Sequence, residues 1–376
     1  MNIQNFVKQK FYNVHTTQPY SSTKNFQKAI QVCVLGGHTP LGRFTSFLLK
    51  QNPVLSLLRI QGDKGVDEMA AELNIIDTKC KIKTFEGNDG YADSMKSADI
   101  VLILGVQSLP EDTSIADRVL AEGKRVYNIA KECTMYSPRA LIIVAVPPVS
   151  VFTPVVADIF KQTDWYHPGR IVGSAALAQI KANTLLGRNQ GMDPQICTVP
   201  IVGGPDIDLA VPLFSRAKPV ELTDRAAQPL LARFRGIRAD EFPHKKFSKE
   251  NFREDAPMSE AFALNNMINR IGRGICGDDQ AYYNCFARTN VLKTTCQHLV
   301  TTLQFSRGGI VHNYGLPQLT RLELELLEKA ALQIKDREQI ARDFIDFVEL
   351  GRDDPPPFKA REIARNKLLK QTVIRG

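Results

Sequence analysis

The stretch Gln31–Gly42, QVCVLGGHTPLG, holds the residues whose types and spacing best suit chemistry. Gly36 and Gly37 follow four apolar or small residues, Val32 to Leu35, and Gly42 opens an apolar run from Phe44 to Leu49 at helical spacing. A buried strand, a glycine turn and a helix N-terminus in that order can hold a pyrophosphate, because amides point out of the turn and the helix dipole favours negative charge. The same turn can also close a strand–helix–strand unit and bind nothing. His38, inside the turn, would point towards a bound nucleotide. Farther along, Asp206 and Asp208 stand two apart, so on a strand they share a face and form a candidate cation or acid pair. The simpler reading makes them polar residues of a solvated hairpin.

Other reactive side chains are scattered. The seven cysteines, at 33, 80, 133, 197, 276, 285 and 296, show no CxxC spacing and sit mostly in apolar contexts. Free, buried thiols in a reducing compartment fit them better than a disulfide framework. Cys33 lies on a core strand and Cys133 ends a helix, with no histidine nearby in sequence to activate either. Six dispersed histidines offer no metal motif, since no pair shares a turn or a helix face.

The elements that must position the glycine turn read as an alternation. Strands are expected at Leu57–Ile60, Ile82–Phe85, Asp99–Leu104 and Ala140–Val146, the last stopped by Pro147 and Pro148. Helical stretches lie between them, at Asp67–Ile75, Tyr91–Lys96 and Ile115–Cys133. Unbroken apolar strands alternating with helices predict an α/β fold, a Rossmann-type doubly wound parallel sheet. Arg170–Gly173 should close that first domain, over residues 31–173. A mixed α+β domain is expected over 174–350. It holds a long helix at 175–186, paired strands around Gly203 and Gly204, and strand-like stretches near 286–293, 299–305 and 309–313. A long amphipathic helix over about 318–350 ends it.

With 376 residues, 43% of them hydrophobic, the chain can bury one large or two moderate cores, and no apolar run approaches a membrane span. The net charge of +8 sits entirely at the ends. Residues 1–30 carry Lys8, Lys10, Lys24 and Lys28 with no acid, and residues 351–376 carry seven basic and three acidic groups. The chain between is neutral, which disfavours a broad basic groove across the fold. Residues 1–30 read as a basic arm or a mitochondrial targeting-like segment. Residues 351–376, with a proline stop and a short basic helix, read as an extension outside the fold. Basic ends can meet RNA phosphate, acidic lipid or acidic protein.

Six stretches, in order and in spacing, resemble the malate dehydrogenase family in its mitochondrial and bacterial branch. They are VCVLGGHTPLG, MAAELNIID, ADIVLIL, ALIIVAVPPVS, IVGSAALAQIKANTLLG and VPIVGGPDIDLAVPLFS, and the likeness covers about residues 30–350. The resemblance implies a Rossmann-like domain followed by a lactate/malate dehydrogenase-like C-terminal domain. It also implies site positions, and several hold other residues here. The family's catalytic histidine falls on Pro205, its orienting aspartate on Ala178, and its substrate arginine on Lys181. The loop that normally brings two arginines over the substrate is GVQSLPEDTS, residues 105–114, with Glu111 and Asp112 instead. The asparagine after the fifth strand has become Val146. In the cofactor fingerprint, Thr39 stands between Gly36 and Gly42 where a glycine belongs, Pro40 removes an amide, and the ribose-binding acid falls on Gly62, one residue before Asp63.

From these departures the sequence predicts no catalytic residues, no enzyme activity and no cofactor, with residual NAD(P) binding on Gly36, Gly37 and Gly42 left open. The expected role is a catalytically inactive malate dehydrogenase-like subunit of a large mitochondrial assembly, a respiratory-chain or ATP synthase complex in preference. One alternative is a mitochondrial ribosome component that meets RNA through its basic ends. The other is an NAD(P)-binding dehydrogenase or sensor with an altered substrate. Protein subunits are the expected partners, through both ends, with RNA or acidic lipid contact and a homo- or heterodimer also open. The expected location is the mitochondrion, on the matrix side or peripheral to the inner membrane. Phe6, Val7, Phe11, Tyr12 and Phe26 at one end, and Ile363, Leu368, Leu369 and Ile374 at the other, are the anchors this reading offers.

Overall fold

The computed structural model describes residues 29–87, 90–110, 113–236, 257–292, 295–351 and 356–362. Almost all of residues 1–30, most of 351–376, the charged stretch 244–255, and Glu111 and Asp112 therefore lie outside the described residues.

The first half alternates strand and helix throughout. Its elements are β1 (Ile30–Leu35), α1 (Pro40–Lys50), β2 (Leu55–Gly62), α2 (Val66–Asn74), β3 (Lys81–Glu86) and α3 (Gly90–Met95). They continue as β4 (Ile100–Leu104), α4 (Ile115–Tyr136), β5 (Leu141–Ala145), α5 (Val149–Lys161) and β6 (Ile171–Ser174). These strands line up in the order β3-β2-β1-β4-β5-β6, every pair parallel. Every residue of β4 and β5 is buried, so each presents apolar side chains to helices on both faces. One layer joins α1, α2 and a later helix, residues 257–275, to the sheet; the other joins α4, α5 and the last helix. The predicted doubly wound sheet is this one.

The second half is α6 (Ala176–Gln190), β7 (Ile201–Gly203), β8 (Ala210–Pro212), α7 (Asp224–Phe234), α8 (Pro257–Ile275), β9 (Tyr282–Arg288), β10 (His298–Ser306), β11 (Gly309–Asn313) and α9 (Arg321–Glu349). Its strands extend the first sheet rather than forming a separate one. β9 pairs antiparallel with β6, and the order continues β9-β10-β7-β8, with β11 on β10. The expected hairpin around Gly203 is the antiparallel pair β7–β8, with Gly203 opposite Ala210. The helix α9 starts at a capping box, in which Thr320 and Glu323 satisfy each other's backbone amides. It then runs along both halves of the molecule. Ile334 packs in the core of the second half, while Ala341, Phe344 and Ile345 pack in that of the first.

One expectation about the C-terminal extension is corrected within its described part. Residues 357–362 form a short helix against α4 and α9. Phe358 is buried in the core those helices share, and Lys359 pairs with Asp117 at 2.7 Å. A single aromatic residue inserted between two existing helices gives the segment a local anchor, which its basic composition concealed.

Candidate active site

The glycine turn lies at the C-terminal end of β1, beside β4, where the strand order reverses and open α/β sheets form their binding crevice. Gly36 adopts φ +95°, and a Cβ on it would stand 3.2 Å from Val106 Cγ1 across the crevice. The amides of Gly36 and Gly37 both donate to Gln61 O, at 3.0 and 2.8 Å, which ties the turn to β2. Gly42 is required by close approach, because a Cβ there would fall 2.3 Å from Gly36 O. Thr39 caps α1: its hydroxyl accepts from Gly42 N at 3.0 Å and donates to Gly36 O at 2.9 Å. The amides of Gly36, Gly37 and Gly42 are therefore all engaged, two by a backbone carbonyl and one by a side chain.

At the end of β2 the ribose side of the crevice has its own arrangement. A side chain at Gly62 would meet His38 N, His38 Nδ1 and Val66 Cγ1, each at 2.9 Å. The imidazole of His38 occupies that space. Its Nδ1 accepts from Asp63 N at 3.0 Å, and its Nε2 lies 3.5 Å from Asp63 Oδ2. The Asp63 carboxylate is three-quarters exposed at the strand end, within the same crevice. These residues fit a dinucleotide. Gly36, Gly37 and Gly42, whose own amides are engaged within the fold, would let a pyrophosphate come close to the turn's backbone, and Asp63, positioned by His38, would take the ribose hydroxyls in place of an acid at 62.

The loop after β4 is tied down by α4. Glu122, buried, accepts from Val106 N and Gln107 N, both at 2.6 Å, through one oxygen. Its other oxygen accepts from Arg125 Nε at 2.9 Å. Farther along, Arg118 donates to Thr113 O and Pro110 O, and Ser114 caps α4. The sequence showed no arginine at 105–114, and the described residues of the loop bring none.

Ala178 and Val146 are fully buried, and Pro205 follows the Gly203–Gly204 corner. Lys181 is buried on α6, with its ammonium 5.3 Å from the centre of the Phe234 ring. The acid pair is not a cation site. Asp206 binds the N-terminus of α5, accepting from Val149 N at 2.9 Å and Ser150 N at 3.1 Å, while Asp208 pairs with Arg337 at 3.0 Å. Among the described residues no group of three metal-ligating side chains converges. All seven cysteines are free. Burial pushes the thiol of Cys80 up to about 11 and those of Cys33 and Cys296 up to about 12. They are poor nucleophiles at neutral pH.

Sequence reasoning missed one buried pair in the second half of the fold. Val300 of β10 lies opposite Gly203 of β7, and two residues earlier His298 lies opposite Arg288 of β9. His298 is buried, and its Nδ1 lies 2.8 Å from Glu338 Oε1 on α9. The same oxygen accepts from Gln297 N at 2.9 Å and His298 N at 2.8 Å. His298 Nε2 has no hydrogen-bond partner. The two residues are 40 apart in sequence on different kinds of element, so no local motif announces them.

Comparisons with known proteins bear on this geometry. The mitochondrial malate dehydrogenases of Macaca fascicularis and Homo sapiens are 27% and 26% identical over 327 residues, 86% of this chain and 94% of each of theirs. The apo malate dehydrogenase of Picrophilus torridus superposes with a TM-score of 0.69 at 18% identity, over 84% of this chain and 98% of its own. The lactate dehydrogenase of Eimeria maxima with NADH and oxamate gives 0.68 at 13%, over 87% and 98%. No family model matches the chain. Two expectations are corrected here. A chain expected to be no enzyme and to take no cofactor matches, over most of its length, proteins named as dehydrogenases, and one structural neighbour is described with NADH. The physical reason is that counting losses at matched positions says nothing of residues brought in from elsewhere, such as Asp63, which follows the last residue of β2 into the crevice.

Proposed function

We propose that this chain, similar over most of its length to malate dehydrogenases and folded like malate and lactate dehydrogenases, is a nicotinamide-dinucleotide-dependent dehydrogenase acting on a substrate other than malate. The observation that carries this reading is the glycine turn, kept at Gly36, Gly37 and Gly42, beside an exposed Asp63 just after β2. A bound nicotinamide dinucleotide supplies or accepts the hydride. Around it, Gln61 O fixes the turn by holding two of its amides, and Glu122 fixes the neighbouring loop by holding two more. Asp206 holds the start of α5 against the Gly203–Gly204 corner.

The substrate follows from charge. A four-carbon dianion needs two carboxylate clamps, best made by guanidinium forks. Positions 108 and 114 are serines, and the buried cation of α6 is the point charge of Lys181, already beside an aromatic ring. The site suits a carbonyl or alcohol substrate with at most one carboxylate. Calorimetric titration with NAD, NADH, NADP and NADPH is the direct test, and at least one should bind in the micromolar range. No heat with any of the four at millimolar concentration overturns the reading.

A second proposal concerns the setting. Relatives named as mitochondrial and two basic ends on a neutral fold support a mitochondrial location, on the matrix side or peripheral to the inner membrane, in contact with protein subunits of a larger assembly. Among the described residues no helix is long and apolar enough to cross a membrane. Native fractionation of mitochondria should place the chain in a species much larger than its 42.0 kDa monomer or a dimer. Migration only as monomer or dimer overturns the assembly contact and leaves the dehydrogenase reading untouched.

A further inference from the structure

We infer that the cavity around Arg288, on the edge of the sheet away from the glycine turn, is a binding site for a small phosphate monoester. The inference does not rest on the dehydrogenase reading. The cavity, of about 280 Å³, lies between the helical turn Pro168–Arg170 and the hairpin of β10 and β11. That size is at the low end for small-molecule sites, which span ~300–1,000 Å³. The turn Pro168–Arg170 leads into the first residue of β6, whereas the glycine turn follows the last residue of β1. In a parallel sheet the two places are therefore at opposite edges. Two glycines build the cavity by letting its two backbones touch. A Cβ on Gly309, which has φ +101°, would stand 2.3 Å from Gly169 O, and one on Gly169 would stand 3.1 Å from Ile310 O. Arg170 Nε holds the approach by donating to Gly308 O at 3.2 Å.

What the cavity holds is a cation without an anion. Arg288, half-buried at the end of β9, has no carboxylate partner among the described residues, and no carboxylate among them lines the cavity. The acid of the adjoining helix, Asp158 of α5, pairs with Lys161 instead. Tyr166, beside the guanidinium, supplies no charge, because burial pushes its phenol up and keeps it neutral. A half-buried charge facing only neutral groups has lost hydration without a return, which a bound anion would provide. The other polar side chains of the lining are His167, His312 and Asn313. His167 Nδ1 accepts from Gly169 N at 3.2 Å, so the proton of the neutral ring is on Nε2, which makes that nitrogen a donor. His312 packs edge-on against Tyr314, ring centres 4.5 Å apart, which steadies an otherwise exposed imidazole. A guanidinium fork and two imidazoles thus come from three separate stretches of chain. A phosphate monoester has three free oxygens to meet them, where a carboxylate has two. Pro168, Leu303 and Ile310 supply an apolar wall for the organic part of the ester, which free phosphate lacks.

The experiment is calorimetric titration of the full chain at low ionic strength with phenyl phosphate, ribose 5-phosphate and inorganic phosphate. At least one of the two esters should bind in the micromolar range, about tenfold more tightly than inorganic phosphate. Added salt should weaken the binding, as it does for any charge-led contact near a surface. Arg288→Gln should weaken it by about tenfold or more. His312→Ala changes an exposed side chain only and should weaken it by about threefold, so it carries the test where Arg288→Gln lowers the unfolding transition. Each titration is repeated with NADH in excess, and the affinity for the ester should stay within twofold. Displacement of the ester by NADH would place it in the crevice and overturn the proposal. No heat with either ester at millimolar concentration overturns it too, as does inorganic phosphate bound as tightly as both. Affinity unchanged in a folded Arg288→Gln, or in His312→Ala where the first variant does not fold, has the same consequence. Failure of NADH itself to bind counts against the dehydrogenase reading alone and leaves this site standing.

Discussion

At the scale of single residues, Thr39 decides how open the glycine turn is. Its hydroxyl caps α1 by accepting from Gly42 N, and Pro40 after it keeps residue 39 extended. The residue that stabilises the helix thus covers an amide a phosphate would use, so the two effects can be separated by one substitution. Thr39→Ala should cost about 1 kcal/mol of stability by denaturant unfolding. The same variant should bind dinucleotide more tightly, by about fivefold for ~1 kcal/mol, because Gly42 N becomes free. Weaker binding in this variant would show that the hydroxyl is a ligand contact instead. Single-residue features were legible only where they are local. Thr39, Gly62, Ala178, Lys181 and Pro205 stand in recognisable stretches, whereas His298 and Glu338 meet only because α9 crosses the start of β10.

At the scale of elements, the parallel strands were legible because burial on both faces leaves an unbroken apolar run, as in β4 and β5. The attachment of β9 to β6 was not, since two antiparallel pairs, Gly173–Phe286 and Ser174–Cys285, join segments more than 100 residues apart. The same limit hid the role of α4. Its composition gives a long amphipathic helix, but only the fold shows Glu122 reaching back to hold the amides of Val106 and Gln107. Replacing Glu122 by Ala would strand two amides and leave the Arg125 guanidinium with its bond to Leu104 O but without its carboxylate. The expected loss is about 2–4 kcal/mol, with hydrogen exchange at Val106 and Gln107 accelerated well beyond that of β4. Glu122→Gln keeps an acceptor oxygen and should lose less than half as much. Equal exchange rates at those amides in Glu122→Ala and the native chain would refute the tether.

At the scale of the whole molecule, the C-terminal segment ties the two halves of the site's frame together. Phe358 fills a buried place between α4 and α9, Lys359 meets Asp117, Glu362 accepts from Ser114 at 3.1 Å, and Arg361 pairs with Asp343. Ser114 and Asp117 are the cap and first turn of α4, where the loop after β4 ends. The segment therefore bears on that loop from outside the crevice. Two groups set its pH window. Hydrogen bonds from Lys359 and Ser114 hold the Asp117 carboxyl below its ordinary range, so its contribution is present above the unfolded value and is lost as pH falls through the lowered one. The bond to Asp117 raises Lys359, so its contribution is lost only as pH rises through that raised value, at strongly alkaline pH. Both side chains are partly exposed, so salt should weaken the pairing across that whole window. The apolar anchor should not respond to salt, and it carries the test. In Phe358→Ala the segment should undock locally while the sheet stays folded, because its contacts form a small unit at the edge of the core. Limited proteolysis with trypsin should then cut at Lys359 and Arg361 more than tenfold faster than in the native chain, with the main unfolding transition shifted only slightly. Exchange at the amide of Thr113 should rise with it, since the loop end loses its outer support. Cleavage at an unchanged rate would mean that Phe358 does not hold the segment, and a collapse of the main transition would mean that it belongs to the global core.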